Sequence, residues 1–266
     1  MANLPFIRKG IGPTLVLVHG YLGGAAQWAR EIRRLSRDFD VIAPNLPGFG
    51  EACDLDGCVS IDDMASAVLY LLDVLGVREF RLLGHSMGGM IAQAMARKRP
   101  ERVAQLILYG TGPLGLMPDR FEPLAVSRER LLEDGVAASI KRVGATWFIL
   151  GQDAPGYPML CKIGAQAGRT AALRALDAMA VWDGRDALAS LSMPALVIWG
   201  DTDRSYRWPQ VEHLWTRMPD ASLAVLPRTS HAAHLEKPTL FLEVLRDFLM
   251  ETVPAGRGRH LRKSAG

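Results

Sequence analysis

The sequence contains little cysteine and no long apolar run. Only three of its 266 residues are cysteines, Cys53, Cys58 and Cys161. No C-x₂-C pair or neighbouring histidine accompanies them, so we predict free thiols rather than disulfides or a metal site. No apolar run approaches the roughly 20 residues that span a bilayer, and the first ten residues lack the pattern of a secretory signal. These absences predict a cytoplasmic protein with neither a membrane span nor a bound metal.

An excess of charge of one sign is missing as well. The net charge of +3 arises in the segment 256–266, which holds four basic side chains and no acidic one. The rest of the chain has 27 basic and 28 acidic residues, a balance that argues against a nucleic-acid partner. We expect the basic tail, residues 253–266, to be disordered and solvated.

The sequence does contain a regular alternation of short apolar runs and longer amphipathic ones. This pattern predicts a mostly parallel, doubly wound α/β sheet of about seven or eight strands with helices on both faces. The alternation breaks over residues 114–190, a segment too long for an ordinary loop. We therefore predict a core domain formed by 1–113 and 191–252, with an inserted helical lid at 114–190. Only about ten residues precede the first strong apolar run, which leaves the number of strands open.

A serine stands at one junction between a predicted strand and a predicted helix. Ser86 is the centre of "GHSMG", which satisfies the G-x-S-x-G pattern of a nucleophile on a tight strand-to-helix turn. Gly84 and Gly88 are needed there because Cβ atoms would collide with the backbone. A serine hydroxyl is a weak nucleophile, so the interpretation requires a base and an acid elsewhere in the chain.

Loops after two later strands contain residues of the required types. His231 and His234 occur in "RTSHAAHLEKP", and we favour His231 as the base because it follows the strand end more closely. Asp201 and Asp203 occur in "IWGDTDRSY", and chain order alone leaves both open as the acid. Open α/β sheets bind ligands at the carboxyl ends of their strands, where these loops and Ser86 would meet.

Together these stretches resemble the α/β-hydrolase superfamily, in its lid-bearing esterase, lactonase and C–C hydrolase types. Four motifs carry the resemblance over residues 11–250: "HGYLGG", "PNLPGFG", "GHSMGG", and the pair "IWGDTD" with "SHAAHLEKP". The resemblance implies Asp203 as the acid and His231 as the base. It also implies an oxyanion hole made by the backbone N–H groups of Tyr21 and Met87.

Three functions are compatible with these residues. We favour a serine hydrolase that cleaves a carboxylic ester or lactone through an acyl-enzyme. A C–C bond hydrolase acting on a diketone or ring-fission product would use the same residues, but such relatives often carry tryptophan where this chain has Ala232. A non-catalytic binding protein of the same fold usually lacks one member of the triad, whereas this chain retains a complete set.

Clues to the substrate are few. Residues 114–186 hold nine basic and nine acidic side chains, so no net field selects a charged ligand. Trp147, Met159 and Trp182 are candidates for an apolar pocket, although the core of the lid itself is the better interpretation. We predict a small-molecule substrate with an apolar acyl or aryl group, no cofactor, and no nucleic-acid or membrane partner. The oligomeric state is left open.

Overall fold

A seven-stranded sheet forms the centre of the part of the chain that the structure describes. The computed structural model describes residues 4–117 and 119–251. In chain order the strands are β1 Phe6–Lys9, β2 Thr14–Val18, β3 Asp40–Pro44, β4 Phe80–His85, β5 Val103–Tyr109, β6 Ala195–Gly200 and β7 Ala221–Leu226. Their order across the sheet is β1-β3-β2-β4-β5-β6-β7. β1 pairs antiparallel with β3, and all other neighbours are parallel. The prediction of a mostly parallel sheet is confirmed, and one strand precedes the first strong apolar run.

Helices cover both faces of this sheet. In chain order they are α1 Ala29–Leu35, α2 Ile61–Val74, α3 Met87–Lys98, α4 Leu124–Ala145, α5 Tyr157–Gly164, α6 Arg169–Ala180, α7 Trp208–Arg217, α8 Ala233–Glu236 and α9 Pro238–Met250. Gly135 has non-helical backbone angles and kinks α4. Pro158 and Pro209 lie in the first turns of α5 and α7, where a missing N–H removes no helical bond.

Two apolar layers enclose the sheet. Along β2, Val16 and Val18 belong to one buried cluster, while Leu15 and Leu17 belong to the other. Successive side chains of a strand point to opposite faces, so a strand that is buried on both faces needs an uninterrupted apolar run. This is the physical origin of the continuous stretch "TLVLV".

The segment between β5 and β6 contains α4, α5 and α6, and it packs against the rest of the molecule. Leu131, Ile140 and Trp147 share one apolar cluster with Val16 and Val18 of the sheet. The segment therefore belongs to the same folded body as the sheet. Its role as a lid and the division of the chain into core and lid stay predictions, and the predicted tail at 253–266 lies outside the described residues.

The composition led to expectations about the cysteines and about membrane-spanning helices. All three cysteines have free thiols. Over 4–117 and 119–251, none of the helices combines the length and the apolarity that crossing a bilayer requires.

The strand order reverses between β2 and β4, which are neighbours at the middle of the sheet. From β2 the chain moves to β3 on one side, and from β4 it moves to β5 on the other. The crevice at the carboxyl ends of two such strands is where open α/β sheets bind ligands. Here His19, Gly20 and Tyr21 follow β2 directly, and Ser86 follows β4.

Candidate active site

Ser86 occupies a strained turn between β4 and α3. Its φ of 57° and ψ of −122° lie in a region that side-chain-bearing residues rarely adopt and that persists only when surrounding packing imposes it. A Cβ on Gly84 would come within 2.1 Å of the Gly88 carbonyl oxygen, which explains the glycines on both sides of the serine. The Ser86 N–H donates to the carbonyl of Tyr109 at 3.0 Å. The turn therefore presents Ser86 at the end of its strand.

His231 and Asp203 meet in the interior beside this turn. Nδ1 of His231 lies 2.8 Å from Oδ2 of Asp203, and the two side chains are 1% and 0% exposed. Because an ionised carboxylate only accepts hydrogen bonds, Nδ1 donates and Nε2 of the neutral ring is free to accept a proton. The other oxygen of Asp203 accepts from the backbone N–H groups of Ser205 and Tyr206, at 2.7 and 3.2 Å. The pair has the orientation that a general base and its orienting acid require.

Asp201, the other candidate acid, has a different contact. It is exposed, and its Oδ1 accepts from the backbone N–H of Thr229 at 3.3 Å. This contact braces the turn after β6 against the loop after β7. The geometry thus favours Asp203, the residue that the resemblance implied and that chain order alone did not separate from Asp201.

Tyr206 connects Ser86 and His231, and the sequence analysis did not identify it. Its ring stacks on the imidazole of His231, with centroids 5.8 Å apart and planes inclined by 19°. Its phenol faces the hydroxyls of Ser86 and Thr111. Burial raises the pKa of Tyr206 to about 12, so the phenol keeps its proton. Its position three residues after Asp203 was the only available signal, since many tyrosines follow turns.

The turn after β2 lies against Ser86 and the start of α3. A Cβ on Gly20 would lie 2.9 Å from Cβ of Ser86. The Gly23 N–H closes this turn onto the Gly20 carbonyl at 3.1 Å and leaves the Tyr21 N–H outside that bond. Met87 is the first residue of α3, where an N–H has no acceptor within the helix. The two residues whose amides the resemblance implies as an oxyanion hole therefore directly follow Gly20 and Ser86, the residues that lie against each other.

His234, the alternative base, is held elsewhere. Its Nδ1 lies 3.0 Å from the hydroxyl of Tyr109, and its backbone N–H donates to the same hydroxyl at 3.1 Å. Its ring lies against Trp28, with centroids 5.0 Å apart. Burial lowers the pKa of His234 to about 3, which keeps the ring neutral. Of the two histidines in this loop, only His231 contacts Asp203.

Two further buried histidines hydrogen-bond to backbone groups around the site. Nδ1 of His19 donates to the Gly20 carbonyl at 2.8 Å, and its Nε2 accepts from the Leu46 N–H at 3.0 Å. Burial lowers the pKa of His19 to about 4. Nε2 of His85 donates to the His231 carbonyl at 3.1 Å, so its ring faces the loop that carries His231. Both residues position loops rather than exchange protons with a ligand.

Glu236 anchors the loop that carries His231. Its two carboxylate oxygens accept from the backbone N–H groups of Ser230 and Ile149, at 2.6 and 2.7 Å. The Ala232 N–H donates to the Trp147 carbonyl at 2.9 Å. The loop that carries His231 is thereby bonded to the residues that directly follow α4.

The three residues that the sequence suggested for an apolar pocket have different surroundings. The indole of Trp147 lies against His231, with centroids 5.6 Å apart. Met159 is 37% exposed and lines a separate cavity of about 310 Å³, because Leu160 rather than Met159 faces the core. Trp182 packs beneath the guanidinium of Arg97. Only Trp147 is placed against the candidate catalytic residues.

Metal-binding side chains are not gathered at the site. Over 4–117 and 119–251, no three His, Cys, Asp or Glu side chains lie close enough together to hold an ion.

Comparisons with known proteins show the family. A family model described as the alpha/beta hydrolase fold matches residues 13–142. A relative from Pseudomonas savastanoi pv. phaseolicola, named "Putative carbamate hydrolase RutD", is 30% identical over 89% of this chain and 93% of its own length. The chain belongs to the α/β-hydrolase family.

Two more members of this family illustrate its range. The 2-hydroxy-6-oxononadienedioate/2-hydroxy-6-oxononatrienedioate hydrolase of Paraburkholderia phymatum is 31% identical over 89% of this chain and 86% of its own length. A thermophilic esterase from Thermogutta terrifontis, solved with malate bound, is 28% identical and superimposes with a TM-score of 0.83 over 92% of each chain. The chain is a hydrolase of the α/β fold, and its relatives are named for several substrates.

Proposed function

We propose that this α/β-fold hydrolase is a serine hydrolase that cleaves a carboxylic ester or a lactone. Ser86 is the nucleophile, His231 the general base and Asp203 the acid that orients it. The observation that carries the proposal is the buried contact of 2.8 Å between His231 and Asp203. Tyr206 supports it because its ring stacks on His231 while its phenol faces Ser86.

The first half of the reaction forms an acyl-enzyme. Oγ of Ser86 attacks the carbonyl carbon of the substrate, and its proton passes to Nε2 of His231. Asp203 stabilises the imidazolium that results. The oxyanion accepts hydrogen bonds from the N–H groups of Tyr21 and Met87, each of which would contribute a factor of about 10²–10³ in rate. Collapse of this intermediate breaks the ester C–O bond, and the leaving oxygen takes the proton from His231.

The second half releases the acid. Water gives a proton to His231 as its oxygen attacks the acyl carbon, and the new intermediate collapses with protonation of Ser86 Oγ. A lactone would follow the same steps and open to one hydroxy acid. A carbamate, the substrate class in the name of one relative, presents the same kind of carbonyl to Ser86.

We also propose that residues 114–190 act as a lid over this site. The support is a pair of hydrogen bonds between the residues that follow α4 and the stretch that carries His231. The Trp147 carbonyl accepts from Ala232, and the Ile149 N–H donates to Glu236. Trp147 then forms one wall of the substrate pocket beside His231. An aryl or apolar acyl group packed on this indole would fit the apolar character predicted from the sequence.

The second candidate is hydrolysis of a C–C bond in a diketone or ring-fission product. It is favoured by the relative named for an oxo-dienedioate, which is 31% identical over most of both chains. Ala232 after the base still argues against it. A panel of phenyl esters, lactones and vinylogous diketones separates the two: turnover confined to diketones would replace the ester assignment.

Covalent labelling tests the nucleophile. We expect an aryl phosphonate to modify wild-type protein once, at Ser86, and the variant Ser86→Ala not at all. Ser205→Ala is the matched control, because Ser205 is also buried and lies two residues from Asp203; it should be labelled like wild type. A folded wild-type protein that gives no Ser86 adduct would favour the non-catalytic binding protein.

A further inference from the structure

We propose that Arg120 and Arg142 form an anion-binding subsite beside Ser86, which selects substrates that carry a carboxylate in addition to the bond that is cleaved. The proposal rests on the function proposed above and narrows its substrate class.

Arg120 is held against the loop that carries the acid. The Phe121 N–H donates to the Arg204 carbonyl at 3.0 Å, and Nε of Arg207 donates to the Asp119 carbonyl at 3.3 Å. These two bonds fix the backbone on both sides of Arg120 next to Asp203 and Tyr206. The arginine therefore approaches the site from the segment that follows β5.

The charge of Arg120 acts on both tyrosines of the candidate site. It interacts electrostatically with the phenols of Tyr206 and Tyr21. Tyr206 faces Ser86, and the Tyr21 N–H is the proposed oxyanion donor. Arg120 is therefore within electrostatic range of two tyrosines of the candidate site.

Arg142 is a second cation within electrostatic range of Tyr21. Its Nη1 contacts both oxygens of Glu122, at 2.7 and 2.8 Å. Its Nε and Nη2 are buried and have no hydrogen-bond partner among residues 4–117 and 119–251. Its charge, like that of Arg120, acts on Tyr21. Two buried N–H-bearing nitrogens of a guanidinium without an acceptor are costly, and a ligand oxygen would satisfy them.

The ion pairs of this cluster leave positive charge in excess. Glu122 is the carboxylate shared by Arg142 and Arg130, at 2.7 and 2.8 Å. Arg120 instead donates to the Glu122 carbonyl and, at 3.2 Å, to the hydroxyl of Ser127, neither of which is an anion. Three guanidinium groups therefore surround one carboxylate. A partly buried cation without a counter-ion is unfavourable, and the planar guanidinium suits a carboxylate ligand best.

An apolar cavity adjoins Arg120. It has a volume of about 410 Å³, and its apolar lining includes Leu116, Met117, Leu124 and Leu176. An apolar cavity with a guanidinium in its wall fits a carboxylate joined to a short hydrocarbon. At the same cavity Arg128 already pairs with Asp177 at 2.7 Å, so its charge is compensated.

The balanced charge composition of the insertion conceals this local positive site. Residues 114–186 are balanced at nine basic and nine acidic side chains. Acidic residues such as Asp177 and Asp183 form their ion pairs with partly exposed arginines. The cancellation over the sequence therefore leaves a local positive site around Arg120 and Arg142.

Three esters of matched size test the proposal. Phenyl hexanoate is neutral, monophenyl adipate carries a carboxylate on the acyl side, and 4-carboxyphenyl hexanoate carries it on the leaving group. We expect kcat/KM of wild type to be higher for at least one anionic ester than for phenyl hexanoate. Arg120→Gln should lower kcat/KM for that ester by about 10–100-fold, mainly through KM, and change phenyl hexanoate less than about threefold.

Further variants separate a subsite from general damage. Arg169→Gln is the control, because it removes a charge of the same insertion where Arg169 donates to the Leu132 carbonyl away from this cavity, and it should leave the ratio between the esters unchanged. Arg120→Lys should retain part of the preference, since it keeps the charge but loses the planar donors. Arg142→Gln should weaken the same anionic ester, with the melting temperature checked because Glu122 loses a partner.

The outcomes distinguish this proposal from the function on which it rests. Equal losses for neutral and anionic esters in Arg120→Gln, or no anion preference in wild type, overturn the subsite while Ser86 chemistry stands. If no ester is hydrolysed and Ser86 is not labelled, the proposed function fails. Calorimetric titration of the Ser86→Ala variant with adipate then tests the subsite directly. Adipate binding that is lost when Arg120→Gln is added supports the subsite, and the absence of adipate binding overturns it.

Discussion

The carboxylate of Asp203 lies 2.8 Å from Nδ1 of His231, with both side chains almost completely buried. Two backbone N–H groups hold the other oxygen of Asp203, so the carboxylate is in place before any charge develops on the imidazole. A preorganised acceptor of this kind fixes the tautomer of the base and stabilises its protonated form. The pair is therefore the point at which activity should be most sensitive to a small chemical change.

Replacing Asp203 by asparagine tests this sensitivity. We expect Asp203→Asn to lower kcat by roughly 10³-fold or more, because an amide in that place can stabilise the wrong tautomer of His231. Asp201→Asn is the matched control, since Asp201 contacts only the Thr229 N–H, and should retain activity within about tenfold. Equal losses in kcat of hydrolysis for the two variants would remove Asp203 as the specific acid.

Alanine substitutions of the two histidines in the loop after β7 should affect activity differently. His231→Ala is expected to abolish turnover while the protein still folds. His234→Ala should keep kcat within about tenfold and lower the free energy of unfolding by about 1–3 kcal/mol, because it removes the imidazole partner of the Tyr109 hydroxyl and opens a cavity. Kinetics and urea unfolding measure the two effects. A folded but inactive His234→Ala would show that the base is misassigned.

Tyr206→Phe isolates the phenol that faces Ser86. Phenylalanine preserves the stacking on His231 and removes only the hydroxyl group, so we expect kcat to fall about tenfold with little change in KM. Tyr157→Phe is a suitable control, because the Tyr157 hydroxyl donates to the Lys141 carbonyl in the insertion. If steady-state kinetics show no difference between the two variants, the phenol of Tyr206 has no part in positioning Ser86.

Glu31 should make stability depend on pH. It is fully buried, both carboxylate oxygens lack partners among residues 4–117 and 119–251, and burial raises its pKa from 4.5 to about 7. Between these two values the folded state keeps the proton that the unfolded state releases. The free energy of unfolding should therefore fall as pH rises from about 4.5 to 7, by roughly 3 kcal/mol, and change little from this cause above 7.

Denaturant unfolding across that pH range measures the Glu31 contribution. Glu31→Gln should remove the decline and be more stable than wild type above pH 7, whereas the exposed control Glu133→Gln should keep it. Parallel curves for Glu31→Gln and wild type would mean that the Glu31 carboxyl has no elevated pKa in the folded protein.

Much of the architecture follows from local sequence features. The continuous apolar run of β2 requires burial on both faces, and the glycines around Ser86 require a turn too tight for side chains. Such signals lie within a few residues of one another, so they can be interpreted without a structure. The choice between Asp201 and Asp203 is different, because both lie in the same short loop and only the direction of each side chain separates them.

The sequence by itself determined the parallel sheet, the family and the set of residue types from which a hydrolase site can be built. Tertiary structure alone decided that Tyr206 stacks on His231 while its phenol faces Ser86, and that Arg130 and Arg142 share the carboxylate of Glu122 while Arg120 donates to the Glu122 carbonyl and to Ser127. The physical reason is range. Strand periodicity and backbone crowding act between neighbours in the chain, whereas Tyr206 and Ser86 are 120 positions apart and meet only when the carboxyl ends of β4 and β6 lie at the same edge of the folded sheet.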